Sequence, residues 1–211
     1  MTERLLRNDY AISAQRLAPR LIGQRLVRLA PGGERLAGVI VETEAYTGPA
    51  DLASHAARGR RTARNESMYG PPGTFYVYFT YGMHHCCNVA CLRDEAPEAV
   101  LIRAIEPTEG LDTMRRNRAA RPRTTALRDR DLCAGPGRLC EALAIDLGAD
   151  GLDLTANELI WIERLRRRAH PASRLVRSAR VGLGKVGPWR DAPLRWSLAG
   201  SPFVSAPRPK A

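Results

Sequence analysis

The sequence predicts a domain in which strands and helices are mixed. Three short runs, at residues 38–41, 75–81 and 99–105, are rich in apolar, β-branched and aromatic residues, which is typical of buried strands. Residues 10–22 carry apolar side chains at helical spacing, and residues 111–118 also have a helical pattern. We therefore expect a sheet with a small number of helices packed against it.

The chain is long enough for one sizeable hydrophobic core. It has 211 residues, no internal repeat, and no linker long enough to divide it. We predict a single domain over residues 1–211, with a disordered tail over about 206–211. The protein is expected to act as a monomer.

The N-terminal part predicts a helix followed by a hairpin. Ser13 precedes the helical pattern and is a candidate N-cap. Residues 25–29 and 36–41 then flank Pro31-Gly32-Gly33, a combination that favours a turn between two antiparallel strands.

Paired carboxylates follow the second strand of this hairpin. Glu42 and Glu44 are two residues apart, so an extended backbone places both on one face, and Tyr46 adds a ring on that face. This arrangement suits a site where a base acts beside a flat substrate. The alternative is an ordinary strand end whose acids face solvent, and the six residues of this segment alone do not decide between the two.

An aromatic hairpin is the strongest strand signal in the chain. Residues 75–81 form the first strand and residues 83–91 the returning strand, which presents Tyr81 at the tip. Residues 99–105 form a further strand that carries Arg103 and that we expect to stop at Glu106-Pro107.

The C-terminal half contains weaker signals. We predict the following elements: a helix over 111–118, a basic loop over 119–131, a helix opened by Gly135-Pro136-Gly137, a strand over 159–162, a basic turn over 164–168, and a last strand over 195–198. The string Gly182-x-Gly184-x-x-Gly187 matches a dinucleotide fingerprint. However, Pro188-Trp189 follows where a helix must open, so we discount that match.

The charge indicates a polyanionic partner. The net charge is +11 and the pI about 10.2, which favours nucleic acid first and an anionic membrane second. No basic amphipathic helix or apolar span supports a membrane partner, and the N-terminus lacks a secretory signal, so we expect a cytoplasmic protein, or a nucleoid-associated one in a bacterium. Lysine occurs only at positions 185 and 210, which leaves few amines for a Schiff base.

The five cysteines predict no disulfide framework and no metal site. They lie at positions 86, 87, 91, 133 and 140. His84-His85-Cys86-Cys87 resembles a zinc-ligand string, but neighbouring side chains on a strand point to opposite faces and cannot converge. We expect buried cysteines, no metal and no cofactor.

The ordered motifs resemble those of the monofunctional 3-methyladenine (alkyladenine) DNA glycosylase family. The matching segments extend from about residue 20 to residue 205: Val41-Glu42-Thr43-Glu44-Ala45-Tyr46, His55, Arg60-x-Thr62-x-Arg64-Asn65, Pro72-Gly73-Thr74-x-Tyr76-Val77-Tyr78, Tyr81-Gly82-Met83, Asn88, Leu101-x-Arg103-Ala104, Gly135-Pro136-Gly137-Arg138-Leu139-Cys140, Ala179-Arg180-Val181-Gly182-Leu183-Gly184 and Gly200-Ser201-Pro202-Phe203-Val204-Ser205.

The resemblance implies an α+β fold around a curved antiparallel sheet, with a β-hairpin that intercalates into DNA. It implies that double-stranded DNA with damaged purines is the partner, and that hydrolysis of the N-glycosidic bond starts base excision repair. The implied roles are the general base for Glu44, water positioning for Arg103, the base pocket for Tyr46, His55, Tyr78 and Asn88, and intercalation for Tyr81 with Met83 beside it. Tyr76 remains an alternative to Tyr78, because the two share a strand face.

Arg60 and Arg64 belong to a basic run that we expect to bind phosphates. Two rival functions remain. A bifunctional glycosylase/lyase needs an amine nucleophile, and an arginine-rich RNA-binding module explains the charge and the rings but gives Glu42 and Glu44 no purpose.

Overall fold

The computed structural model describes residues 3–80, 82–119 and 127–209. Within these ranges nine strands form one sheet, and every pairing is antiparallel. The strands are β1 (Glu3–Arg4), β2 (Arg25–Leu29), β3 (Arg35–Tyr46), β4 (Phe75–Thr80), β5 (His84–Cys91), β6 (Glu98–Glu109), β7 (Ile160–Arg164), β8 (Leu175–Ser178) and β9 (Arg195–Leu198). The α-helices are α1 (Arg7–Tyr10), α2 (Ala14–Leu21), α3 (Leu111–Arg118), α4 (Asp129–Leu132) and α5 (Pro136–Ala142).

Strand β3 is the centre of the sheet. One edge pairs with β6, while the other pairs first with β2 and then, at Glu42–Glu44, with β9. The register with β6 shifts between Ile40 and Thr43. Such bulges bend a strand and increase its twist, so the sheet curls at this point. The expected α+β fold around a curved antiparallel sheet is confirmed.

The core lies on the side of the sheet that the helices cover. One cluster of buried side chains extends from Leu5 to Trp196 and includes Leu17 and Leu21 of α2 and Leu139 of α5. Helix α2 packs against β3, and α5 packs against β5. Because both main strands are held from behind, residues on their opposite face can be fixed in position.

Both predicted hairpins are confirmed. Strands β2 and β3 pair around Pro31-Gly32-Gly33, and β4 pairs with β5 from Phe75–Val89 to Thr80–His84. The helix over 111–118, the helix opened by Gly135-Pro136-Gly137 and the last strand also occur as expected.

The end of strand β6 and the capping contacts of helix α2 differ from the expectation. Strand β6 continues through Pro107, because that proline faces Gly38 beside a register shift, where a ladder hydrogen bond is not required. Ser13 occupies the N-cap of α2 without a side-chain cap bond; the backbone N–H of Ala14 instead donates to the Glu98 carboxylate at 2.7 Å.

Part of the predicted basic loop over 119–131 is helical, because α4 begins at Asp129; residues 120–126 lie outside the described ranges. Strands β1 and β8 were not predicted, because each is short and is held by pairing with a distant strand.

Candidate active site

The bulged segment of β3 buries Glu42 and Glu44 completely. Both residues have zero relative exposure. Because β6 and β9 flank this segment, neither side chain reaches solvent, and the interpretation of an ordinary exposed strand end is wrong. Burial of two carboxylates is costly unless cations and hydrogen-bond donors face them, so their partners define the site.

Arg103 on β6 lies between the two carboxylates. Its Nε donates to Glu42 Oε1 at 2.7 Å, and its Nη1 lies 3.2 Å from Glu44 Oε1. Arg103 is 5% exposed. One arginine therefore joins both acids and neutralises part of their charge.

Glu42 is fully occupied by structural contacts. Its Oε1 accepts from Arg103 Nε, from Arg195 Nε at 2.7 Å and from Ser205 Oγ at 3.0 Å, and its Oε2 accepts from the Ser205 backbone N–H at 2.7 Å. Arg195 also donates to the carbonyl of Pro207, so the tail that we expected to be disordered from about residue 206 is held at its start. Glu42 therefore anchors the C-terminal segment.

Glu44 has fewer and differently placed partners. Its Oε1 accepts from the Val181 backbone N–H at 2.7 Å, and its Oε2 accepts from the Tyr46 hydroxyl at 3.0 Å. Burial raises the pKa of Glu44, while Arg103, the Val181 N–H and the Tyr46 hydroxyl oppose the increase. Its three partners all line one concave site, and Glu44 lies directly behind them.

That site is a cavity of about 490 Å³ with aromatic walls. The His55 ring meets the Tyr78 ring edge-on at 4.5 Å between centroids, and the Tyr76 ring lies 5.4 Å from Tyr78. Asn88, which is 3% exposed, donates to the Tyr76 carbonyl and also lines the cavity. The structure thus brings together all four predicted pocket residues, and it places Tyr76 beside Tyr78 in the same wall.

His55 is an uncharged hydrogen-bonding group. Burial, with Arg64 and Arg60 nearby, lowers the pKa of His55 to about 4. Its Nδ1 lies 2.7 Å from the Tyr76 hydroxyl, and burial raises the pKa of Tyr76, so that hydroxyl keeps its proton. The neutral His55 ring carries one N–H donor and one acceptor nitrogen, and its tautomer sets which of the two groups donates in this bond.

A sequence profile of the methylpurine-DNA glycosylase family matches residues 8–202 of this chain. The chain belongs to the methylpurine-DNA glycosylase family. The resemblance noted from the motifs is thereby confirmed.

Relatives within the methylpurine-DNA glycosylase family align with nearly all of this chain. The human DNA-3-methyladenine glycosylase is 49% identical over 193 residues, which cover 90% of this chain and 63% of the human protein. The mouse protein of the same name is 46% identical over 192 residues, or 90% of this chain and 57% of that protein. This chain thus spans less than two thirds of either length. A Burkholderia cenocepacia (strain HI2424) protein is 47% identical over 195 residues, which cover 92% of this chain and 89% of that protein.

One loop of the site, over residues 181–186, received no role from the sequence motifs. Five residues of this loop line the cavity: Val181, Gly182, Leu183, Gly184 and Val186. The buried Arg180 holds the loop in place, because it donates to both oxygens of Asp51, at 2.6 and 2.8 Å, and to the Ala45 carbonyl. The motif resemblance includes this segment but assigns it no role, although two glycines beside a cavity allow close approach of a flat ligand.

Arg60 and Arg64 lie near His55 without lining the cavity. Arg64 donates to the Phe79 carbonyl at 3.0 Å, and its guanidinium lies 5.5 Å from the Tyr78 ring. Arg60 is exposed, whereas its neighbour Arg61 is paired with Glu66 and Glu95. Met83 is 54% exposed at the turn of the β4–β5 hairpin, and Tyr81 lies outside the described residues.

Within the described ranges, no group of three or more His, Cys, Asp and Glu residues is arranged to hold a metal ion. None of the helices in these ranges has the length and apolar composition needed to cross a bilayer.

Proposed function

We propose that this protein is a monofunctional DNA glycosylase that rotates a damaged purine out of the duplex and hydrolyses its N-glycosidic bond. The observation that carries the proposal is the position of Glu44, a buried carboxylate directly behind an aromatic cavity large enough for a purine. Family membership supports DNA as the substrate. The active residues are Glu44 and Arg103, and the reaction is expected to need no cofactor.

The rings of the cavity are suited to an extruded purine. Stacking against aromatic side chains contributes about 1–3 kcal/mol per base, which offsets part of the few kcal/mol needed to unstack a nucleotide. Tyr46, Tyr78 and His55 supply faces and edges for this stacking, and a cationic alkylated purine gains further attraction to the ring faces. Asn88 lies on the wall where it limits which purine edges fit.

Glu44 activates the attacking water. The water oxygen attacks C1′ of the extruded nucleotide, its proton passes to Glu44, and the electrons of the breaking C1′–N bond leave with the base. Because the Tyr46 hydroxyl holds Oε2 at 3.0 Å, the water must enter beside that hydroxyl or displace it. Arg103 holds the opposite oxygen of Glu44 and orients the carboxylate.

The β4–β5 hairpin is the proposed intercalating element. Tyr81 at its turn would fill the gap that the extruded nucleotide leaves, with Met83 beside it. Apolar and aromatic wedges at base steps act in this way in other DNA-bending proteins.

Hydrolysis and lyase chemistry predict different products. Lys185 lies in the loop between Gly184 and Val186 but is exposed and does not line the cavity. We therefore expect alkylated duplex DNA to release free purine and to retain an intact abasic strand until alkali is added. Strand nicking without alkali, together with borohydride trapping of the protein on DNA, would instead indicate an amine nucleophile. Binding without any base release would indicate a binding module.

Arg60 and Arg64 are proposed phosphate contacts at the rim. Replacement of either by Ala should weaken binding to lesion and undamaged duplexes alike and make the salt dependence shallower by roughly one unit of slope. The measurement is the dissociation constant at several salt concentrations. A loss confined to lesion DNA, with the slope unchanged, would place that arginine in the base pocket instead.

A further inference from the structure

A second concave site lies beside α2 and the turn that follows β7. The cavity has a volume of about 280 Å³ and shares no lining residue with the aromatic cavity. In the strand order of the sheet, β7 lies toward the end opposite to β4 and β5. The site is lined by five arginines: Arg20, Arg164, Arg166, Arg167 and Arg168.

Four of these five arginines lack a counter-charge within the described part of the chain. Arg164 pairs with Asp9 at 2.6 Å and with Glu3 at 3.4 Å. Arg20, Arg166, Arg167 and Arg168 are exposed, and none of their side chains forms an ion pair or hydrogen bond with a described residue. By contrast, Arg25 and Arg35 on the neighbouring strands are both paired with Glu109 and Glu163.

The backbone of this turn is held rigidly, so the arginines are presented from a fixed frame. Gln24, which is 5% exposed, accepts from the N–H groups of Leu165 and Arg166 and donates to the carbonyls of Arg20 and Arg166. Gly23 (φ +87°) allows close contact here, because a Cβ at this position would lie 2.7 Å from Arg166 Cδ and from His170 Nε2. A frame of this kind reduces the entropy lost when a ligand binds.

Within the described residues, the one carboxylate that lines this cavity is Asp9, and it is paired with Arg164. The C-terminus of α2 points toward the turn, but a helix end offers the equivalent of about half a negative charge. The positive potential also affects His170, because burial together with Arg166 and Arg174 lowers the pKa of that histidine. The cluster therefore presents an excess of positive charge to which an anionic partner can bind.

We propose that this arginine cavity binds the phosphate backbone of a second DNA segment while the aromatic cavity engages the first. Guanidinium groups bind phosphates through two parallel hydrogen bonds. A phosphate backbone supplies several anions at regular spacing, so it can contact several of the four arginines at once. The choice of DNA rests on the proposed function, since an enzyme that searches a duplex encounters other DNA segments continually.

The test measures energy transfer between two short undamaged duplexes, one carrying a donor dye and the other an acceptor, in the presence of the full chain. We expect transfer with the wild type. In the double variant Arg166→Ala/Arg167→Ala, the affinity for the second duplex should fall at least about tenfold. Its salt dependence should become shallower by roughly two units of slope.

Two control variants separate position from charge. Arg93→Ala/Arg130→Ala removes the same charge from exposed sites outside both cavities and should retain the transfer. Arg166→Lys/Arg167→Lys keeps the charge and should retain most of the energy transfer. Unchanged melting temperatures are expected, because Gln24 rather than the arginine side chains fixes the turn.

Equal transfer in all variants would overturn the proposal. So would binding to phosphatidylserine vesicles that is lost in the Arg166→Ala/Arg167→Ala variant while DNA transfer persists, because the partner would then be a membrane surface. Single-turnover excision from a short lesion duplex should be the same in the wild type and in Arg166→Ala/Arg167→Ala. If the wild type excised no base, only the proposed function would be contradicted. The energy-transfer measurement would still test whether the arginine cavity binds a second duplex.

Discussion

Replacement of Glu44 by Gln is expected to reduce single-turnover excision by about 10²–10⁴-fold while leaving affinity for lesion DNA nearly unchanged. The amide fills the same volume and still accepts from Arg103 and from the Val181 N–H through its oxygen. Its NH₂ group can face the Tyr46 hydroxyl, which accepts as well as donates. Only the ability to take a proton from water is lost.

The same substitution has a predictable effect on stability. Burial raises the pKa of Glu44 in the folded protein above its value in the unfolded chain. The folded state thus favours the protonated form, and stability is lost as the pH increases through the folded-state pKa. The Gln variant avoids this cost, so its melting temperature should exceed that of the wild type near neutral pH. The difference in melting temperature should vanish under acidic conditions. A Glu44→Gln variant that is less stable than the wild type at neutral pH would contradict a raised pKa for Glu44.

Replacement of Glu42 by Gln is expected to destabilise the fold, by about 3–5 kcal/mol, because it removes the shared anion of two buried arginines. Arg103 keeps Glu44 as a partner, but Arg195 is left with the carbonyls of Ser205 and Pro207. Whichever way the amide is oriented, its NH₂ group faces a donor. For a chain of this size the loss corresponds to roughly 6–20 °C in melting temperature.

Ser205→Ala is the matched control for that prediction. It removes the hydroxyl bond to Glu42 at 3.0 Å and the bond that the hydroxyl accepts from Arg103 Nη2 at 3.3 Å, and it keeps the backbone N–H bond at 2.7 Å. Both arginines keep Glu42 as a partner, so a loss of about 1–2 kcal/mol is expected. If Glu42→Gln left stability intact and abolished excision at temperatures where it is folded, Glu42 would be the base, and the roles of the two carboxylates would be exchanged.

Local patterns predicted the elements that present the site. The β4–β5 hairpin and the end of β3 depend on neighbouring residues, and the aromatic and β-branched composition of 75–81 identified the first of these directly. The motif resemblance predicted base-pocket roles for Tyr46, His55 and Asn88, and the structure places all three in the lining of one cavity.

Contacts between distant residues were not accessible from local patterns. Glu42 and Glu44 are equivalent on an extended strand, and only the bonds to Arg195 and Ser205, more than 150 residues away, distinguish them. Val181 donates to Glu44 from 137 residues away. The continuation of β6 through Pro107 likewise depends on a bulge opposite Gly38, which the residues of β6 do not encode.

The most direct test of the central claim compares two pH profiles of the same carboxylate. The first is single-turnover excision of a cationic alkylpurine at subsaturating protein, which reports the pKa of the free enzyme. The second is the difference in melting temperature between the wild type and Glu44→Gln. If ionised Glu44 is the base, excision falls with decreasing pH through a pKa above the ordinary value of a glutamate, and the stability difference begins to close as the pH falls below that same pKa. An excision limb at a different pH from the onset of that change, or one that persists in Glu44→Gln, would contradict the role of Glu44 as the base.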